Sequence, residues 1–465
     1  MKYNIIVIGS GPGGYVAAIR ASQLGQKVAI VEKESLGGIC LNWGCIPTKA
    51  LLKSAEVFQY LNHASDYGIK VEGGSADLGA IVKRSRSVAD GMSKGVQFLM
   101  KKNKIDVIKG TGKLARGKKV DVTDEAGKVT SYEADHIIIA TGARAKALPN
   151  IPIDGKKVIE YRKAMVPETL PASLVVIGAG AIGVEFAYFY NSVGSKVTVI
   201  EYLEQGLVPR EDPEVSKELA KQFSKSGITV LGNTSVEKVD TSGKNIIVTA
   251  KDRKTGNVTE INCDLVLSAA GVTSNLEDIG LEALGIKTDK GKVVVNEWYQ
   301  TNVPGIYAIG DITEGPALAH VASAEGIICV EKIAGHHPQP LDYENIPSCT
   351  YCQPEIASVG MTEQQAKEAG HELKIGKFPF TASGKAKAAG HSEGFIKLIF
   401  DAKYGEILGA HMIGAHVTDM IAELVVARKL EATGMEIIRS VHPHPTMSEA
   451  IMEAAAAAYG EVIHL

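Results

Sequence analysis

Two stretches of the chain share one pattern of apolar and polar positions. Asn4–Lys33 (NIIVIGSGPGGYVAAIRASQLGQKVAIVEK) opens on a β-branched apolar run and turns at clustered glycines. It continues through a helix-length segment and ends on a second apolar run. Ser173–Tyr202 (SLVVIGAGAIGVEFAYFYNSVGSKVTVIEY) repeats the order at an offset of 169 positions. Gly9, Gly11, Gly14, Gly25, Lys27, Val28 and Glu32 fall on Gly178, Gly180, Gly183, Gly194, Lys196, Val197 and Glu201. Strand, glycine turn, helix and strand make a βαβ unit, and its recurrence predicts two dinucleotide-binding domains.

The apolar pattern also orders the rest of the chain. Ile137–Ala140 reads as a strand closed by Thr141 and Gly142, and Val166–Pro171 leads into the second unit. Val303–Asp311 (VPGIYAIGD) reads as turn, strand and polar end, and is expected to return to the first domain. Beyond Pro338 and Pro340, strand-like runs (Ile356–Val359, Phe395–Phe400) precede helical ones (Val417–Lys429, Met447–Ala458), the order of a separate α+β domain. The expected division is 1–148 and 271–342 for an interrupted first domain, 149–270 for the second, and 343–465 for the last.

Composition changes this picture little. In 465 residues, 50 basic and 53 acidic side chains leave a net charge of −3. No basic excess supports nucleic-acid or membrane-surface binding. Apolar runs are too short to cross a bilayer. An N-terminus that enters a strand at once leaves no room for a targeting peptide, so a cytoplasmic protein is expected. Six cysteines in this length are no disulfide scaffold, and in such a protein a close pair points to redox or metal chemistry.

Each glycine motif follows a strand, opens a helix and has an acid 23 positions after its first glycine. Glycines permit the tight turn and the approach of pyrophosphate to a helix N-terminus. Glu32 and Glu201 are placed to accept from a ribose 2′-hydroxyl. A carboxylate at 201 repels a 2′-phosphate, and no arginine follows before Arg210, which favours NAD over NADP.

Gly37–Lys49 reads GGICLNWGCIPTK. In an ideal helix Cys40 and Cys45 stand at least ~7.5 Å apart along the axis, too far to bond. A disulfide there demands an irregular turn, which Gly44 permits, with Pro47 in the first turn of a new helix. Cys45 then lies near that helix's N-terminus, where the dipole stabilises a thiolate. Cys349 and Cys352 form a lone CxxC with no second pair for zinc, and read as packing, as do Cys263 and Cys329. No metal site is expected. In the tail VHPHPTMSEA, His444 and Glu449 fit either a base with its orienting carboxylate or surface groups, and His442 reads as a surface histidine.

Taken together, these residues resemble the pyridine nucleotide–disulfide oxidoreductases over nearly the whole chain. GGICLNWGCIPTK is similar to the family's GGTCxNxGCxPxK, with Ile39 where threonine is usual, and VPGIYAIGD is similar to its second flavin motif. The resemblance implies an α/β protein with two Rossmann-like domains and a C-terminal α+β dimerisation domain. It implies FAD on the first unit, NAD on the second, a Cys40–Cys45 redox disulfide, and Asp311 on the ribityl chain. It pairs Lys49 with Glu185 near the flavin N5. HPHPTMSEA resembles the members that oxidise dihydrolipoamide. That likeness makes His444 the acid/base, with Glu449 its partner, acting from the other subunit of a homodimer. It also implies that the lipoyl arm comes from a partner: the lipoyl domains and acyltransferase core of a 2-oxoacid dehydrogenase complex, or a glycine-cleavage lipoyl carrier. The tail carries neither of the extra cysteine pairs that mark mercuric reductases and high-molecular-weight thioredoxin reductases, and glutathione reductases favour NADPH.

Overall fold

Parallel strands covered by helices on both sides must be apolar throughout, and the first unit satisfies this. In the computed structural model, which describes residues 2–465, β1 (Lys2–Ile8) is fully buried from Ile5 to Ile8. Helix α1 (Pro12–Gln23) crosses to β2 (Val28–Glu32), which pairs parallel to β1. The sheet continues outward through Asp106–Lys109 and inward through Val129–Ile139. Val129–Ile139 serves two sheets in one. Its first half pairs antiparallel with Lys119–Thr123, and its second half lies parallel to β1. Ile306–Ala308, from the returning segment, pairs parallel with its end at Ile137–Ile139.

The second unit repeats the plan. Strands Ser173–Ile177 and Lys196–Ile200 pair in parallel around helix Ala181–Ser192. The five-stranded sheet runs Thr229–Leu231, Lys196–Ile200, Ser173–Ile177, Leu265–Ser268, Val158–Ile159. The chain passes between the two sheets twice, and there Ala143–Ala145 and Val272–Ser274 pair antiparallel.

From Ser348 the chain forms a five-stranded antiparallel sheet. Its central strands Phe395–Asp401 and Ile407–Gly414 are buried along their whole length. Helices Val417–Lys429 and Glu449–Ala458 complete this core, the second starting two residues later than its apolar pattern suggested. Two carboxylates fasten the sheet to the second unit. Asp212, fully buried, and Glu214 both meet the buried Lys397 ammonium, at 3.1 and 2.7 Å. Among the described residues no helix is long and apolar enough to cross a membrane.

Candidate active site

Each glycine of the two turns answers to a different constraint. A Cβ on Gly9 would lie 2.3 Å from the Ala140 carbonyl oxygen, and one on Gly14 2.0 Å from that of Gly9. Gly178 and Gly183 are closed in the same way, at 2.6 Å from Ala269 and 1.9 Å from Gly178. Gly11 and Gly180 face open space instead, and each caps its helix without a side-chain hydrogen bond. The helix-terminal N–H groups are thus left for an anion that no Cβ blocks. The acids repeat as faithfully. Glu32 accepts the Ser10 and Glu34 N–H groups at 3.0 and 2.8 Å, and Glu201 those of Ala179 and Leu203 at 2.7 and 2.9 Å. Each carboxylate is held by backbone at the end of its strand, with lone pairs remaining for a ribose hydroxyl.

The thiol segment is two helices broken at one glycine. α2 (Gly38–Trp43) ends at Gly44, and α3 (Cys45–Asn62) begins at Cys45. A Cβ on Gly44 would lie 3.1 Å from the Ile39 carbonyl oxygen, so any larger residue would press against the end of α2. It sets Cys45 at the first position of an 18-residue helix, with Cys40 in hydrogen-bonding contact. The two respond oppositely. The hydrogen bond from Cys40, helped by Lys49, draws the Cys45 thiol below its ordinary value despite its burial. The same contact, together with burial, pushes Cys40 far up. The contact therefore favours a thiolate on Cys45 over one on Cys40.

One turn along α3, Lys49 Nζ meets the buried Glu185 carboxylate at 3.0 and 2.9 Å, an ion pair between the two nucleotide domains. Thr141 Oγ donates to Asn275 O, and the Asn275 N–H returns to Gly142 O, tying the end of the strand to the returning chain. Asp311 stands in a short 3₁₀ turn just after Ile306–Ala308. Burial pushes its carboxyl up against the pull of Lys292, and among the described residues no donor meets that carboxylate. It is free to accept from a ligand hydroxyl. These glycines, acids and uncapped helices fit FAD at the first unit and NAD at the second.

In the tail, His444 Nδ1 lies 2.8 Å from Glu449 Oε1, and the Thr446 N–H holds Oε2 at the same distance. Burial opposes ionisation of Glu449, but Thr446 and His444 outweigh it and hold the carboxyl low. The imidazole is 80% exposed. Among the described residues of one chain, no contact joins it to Cys40 or Cys45.

The other histidine reverses its expected place. His442 has only 7% of its side chain exposed and pairs with Glu423 at 2.9 Å, so it is a structural group. Cys263, Cys329 and Cys352 are buried as expected, though Cys352 lies past the end of the strand that holds Cys349. Two residues escaped the sequence reading. Glu325, on the helix Ala319–Ile333, accepts the Gly310 N–H at 2.6 Å and the Tyr343 hydroxyl at 2.7 Å, bracing the turn that carries Asp311. Burial pushes it up to about 7. Arg253, 52 positions past Glu201, lies 3.8 Å over the Tyr202 ring and donates to the Tyr202 carbonyl. The absence of an arginine before Arg210 therefore did not leave this corner without one. Neither residue belongs to a local motif, so only the fold reveals them.

Known proteins resemble this chain in sequence and in fold. A dihydrolipoyl dehydrogenase of Rhizobium etli is 50% identical, covering 100% of this chain and 99% of its own. One of Bacillus subtilis is 45% identical over 100% and 99%, and the mitochondrial enzyme of Pisum sativum 42% over 99% and 92%. Among solved structures, LpdA of Mycobacterium tuberculosis superimposes with a TM-score of 0.89 at 26% identity, covering 97% of this chain and 99% of its own. The Cu(II) complex of an HOCl-induced flavoprotein disulfide reductase of Escherichia coli gives 0.88 at 25%, covering 98% and 99%. Residues 346–455 match a dimerisation domain, which supports a homodimer. Residues 3–326 match the pyridine nucleotide-disulphide oxidoreductase description, and with both segments matched the chain belongs to that family.

Proposed function

We propose that this chain is a dihydrolipoyl dehydrogenase, oxidising protein-bound dihydrolipoamide and reducing NAD. The observation that carries the reading is the His444–Glu449 pair, an exposed imidazole whose inner nitrogen is fixed by a held carboxylate. The Cys40–Cys45 dithiol and relatives named for this activity support it.

The catalytic residues divide the work as follows. His444, from the other subunit of a homodimer, takes the proton of a dihydrolipoamide thiol. The thiolate attacks Cys40 Sγ of the oxidised pair, the Cys40–Cys45 bond breaks, and Cys45 leaves as a thiolate. The second substrate thiol then attacks its own mixed-disulfide sulfur, which closes the lipoamide ring and releases Cys40. Cys40 takes the proton held by His444, and the second thiol's proton passes to the imidazole in its place. Bound FAD supplies the two-electron relay between the dithiol and NAD. Gly9, Gly11, Gly14, Glu32, Thr141, Gly142 and Asp311 would hold FAD, with the Lys49–Glu185 pair serving the thiols that exchange electrons with it. Gly178, Gly180, Gly183 and Glu201 would hold NAD.

The domains divide at 148/149, 270/271 and 342/343. The partners are the lipoyl domains and acyltransferase core of a 2-oxoacid dehydrogenase complex or a glycine-cleavage lipoyl carrier, met in the cytoplasm. A rate screen with dihydrolipoamide, glutathione disulfide and mercuric ion tests the activity. Turnover confined to dihydrolipoamide with NAD is expected, and faster reduction of either alternative would overturn it.

A further inference from the structure

The Lys49–Glu185 ion pair has a third member, and it comes from the C-terminal domain. The Tyr351 N–H donates to Glu185 Oε1 at 3.0 Å, and the Tyr351 ring centre lies 4.3 Å from Lys49 Nζ. One residue thus touches both charges, the carboxylate through backbone and the ammonium through the face of its ring. Each charge belongs to a different nucleotide domain, so three parts of the chain meet at this point.

The contact bears on the thiol pair through helix geometry. Cys45 and Lys49 are four positions apart on α3, so their side chains share one face a turn apart. Lys49 is a flexible cation with a third of its side chain exposed, while the Glu185 side chain is 6% exposed. The carboxylate alone fixes one end of the ammonium. A ring face on another side removes alternatives that would carry the charge towards solvent. We propose that Tyr351 is a positioning residue, whose ring holds the Lys49 ammonium where it stabilises the Cys45 thiolate. The direction agrees with the charges present. Lys49 favours the thiolate, and Glu185 opposes it. The ionisable groups facing Cys45 are Cys40, Lys49 and Glu185, and those facing Tyr351 are Lys49, Cys349, Glu185, Glu355 and Asp419.

The proposal rests on the redox role of the dithiol but not on the identity of the substrate. It is tested on FAD-loaded protein reduced by two electrons with NADH. The thiolate-to-flavin absorbance is followed against pH in wild type, Tyr351→Phe and Tyr351→Leu. Tyr351→Phe keeps the ring, whereas Tyr351→Leu keeps apolar bulk and the backbone N–H but has no π face. The thiolate midpoint of the Leu variant should rise by on the order of half a pH unit, with the Phe variant at the wild-type value. Equal midpoints in all three, or equal rises in both variants, would overturn the positioning role. If the Leu variant does not yield FAD-loaded protein, Tyr351→Met provides the same comparison. A wild type with no thiolate band would instead sink the redox assignment of Cys45, and the proposal with it.

Discussion

Glu449 holds His444 by Nδ1 while the Thr446 N–H holds Glu449, so the orientation of an exposed imidazole is set two bonds deep. Such an arrangement fixes which nitrogen faces outward. Its consequences for the half-reactions can be measured.

His444→Gln should slow reduction of the enzyme by dihydrolipoamide by ~10²–10⁴-fold, the usual worth of a positioned base. Reoxidation by NAD should change far less, because no proton on substrate sulfur moves in that step. Glu449→Gln should give a milder loss of the same kind. Rapid mixing of each half-reaction decides it, and near-normal reduction in the His444 variant would make the tail histidine structural.

The contact between the thiols, with Lys49, favours a thiolate on Cys45 over one on Cys40. Cys40→Ser should therefore keep the long-wavelength thiolate-to-flavin band, and Cys45→Ser should lose it. An unchanged band in the Cys45 variant would reverse the assignment of the flavin-side thiol.

Cofactor preference should follow Glu201, a buried carboxylate that a 2′-phosphate would have to meet. Wild-type specificity constants should favour NAD over NADP. Glu201→Ser should narrow the gap, since Arg253 beside Tyr202 can then face the phosphate. Adding Arg253→Ala should widen it again. Comparable wild-type constants for the two cofactors would refute the role given to Glu201.

Docking of the second nucleotide domain on the C-terminal sheet should depend on acid pH. Burial opposes ionisation of Glu214, but Lys377 and Lys397 lower it from 4.5 to about 2. A depressed carboxyl stabilises the fold above its unfolded value and loses that contribution as pH falls towards its folded one. Stability from this contact should thus fade between pH 4.5 and about 2. Lys397→Met removes the shared cation and strands the fully buried Asp212. It should cost about 3–5 kcal/mol, as breaking a buried pair does. Urea midpoints at neutral pH provide the check, and a variant as stable as wild type would show that the cluster contributes nothing net.

The sequence by itself determined what is local or repeated. Both βαβ units were legible because the spacing of their glycines is local and repeats, with Gly14 closed against Gly9 and Gly183 against Gly178 inside each turn. The break at Gly44 was legible because helix geometry forbids a Cys40–Cys45 contact without one. Even the His444–Glu449 contact spans only five positions. Tertiary structure decided the rest. His442 pairs with Glu423 on the helix Val417–Lys429, and Glu325 reaches Gly310 only because the helix after the flavin turn folds back on it. Arg253 arrives beside Tyr202 by way of an antiparallel hairpin, and Tyr351 reaches Lys49 and Glu185 across domains. The physical reason is range. Backbone sterics and helix periodicity act over a few residues and leave a pattern in the chain. Desolvation and charge pairing act through space, between groups whose separation along the chain says nothing of their distance.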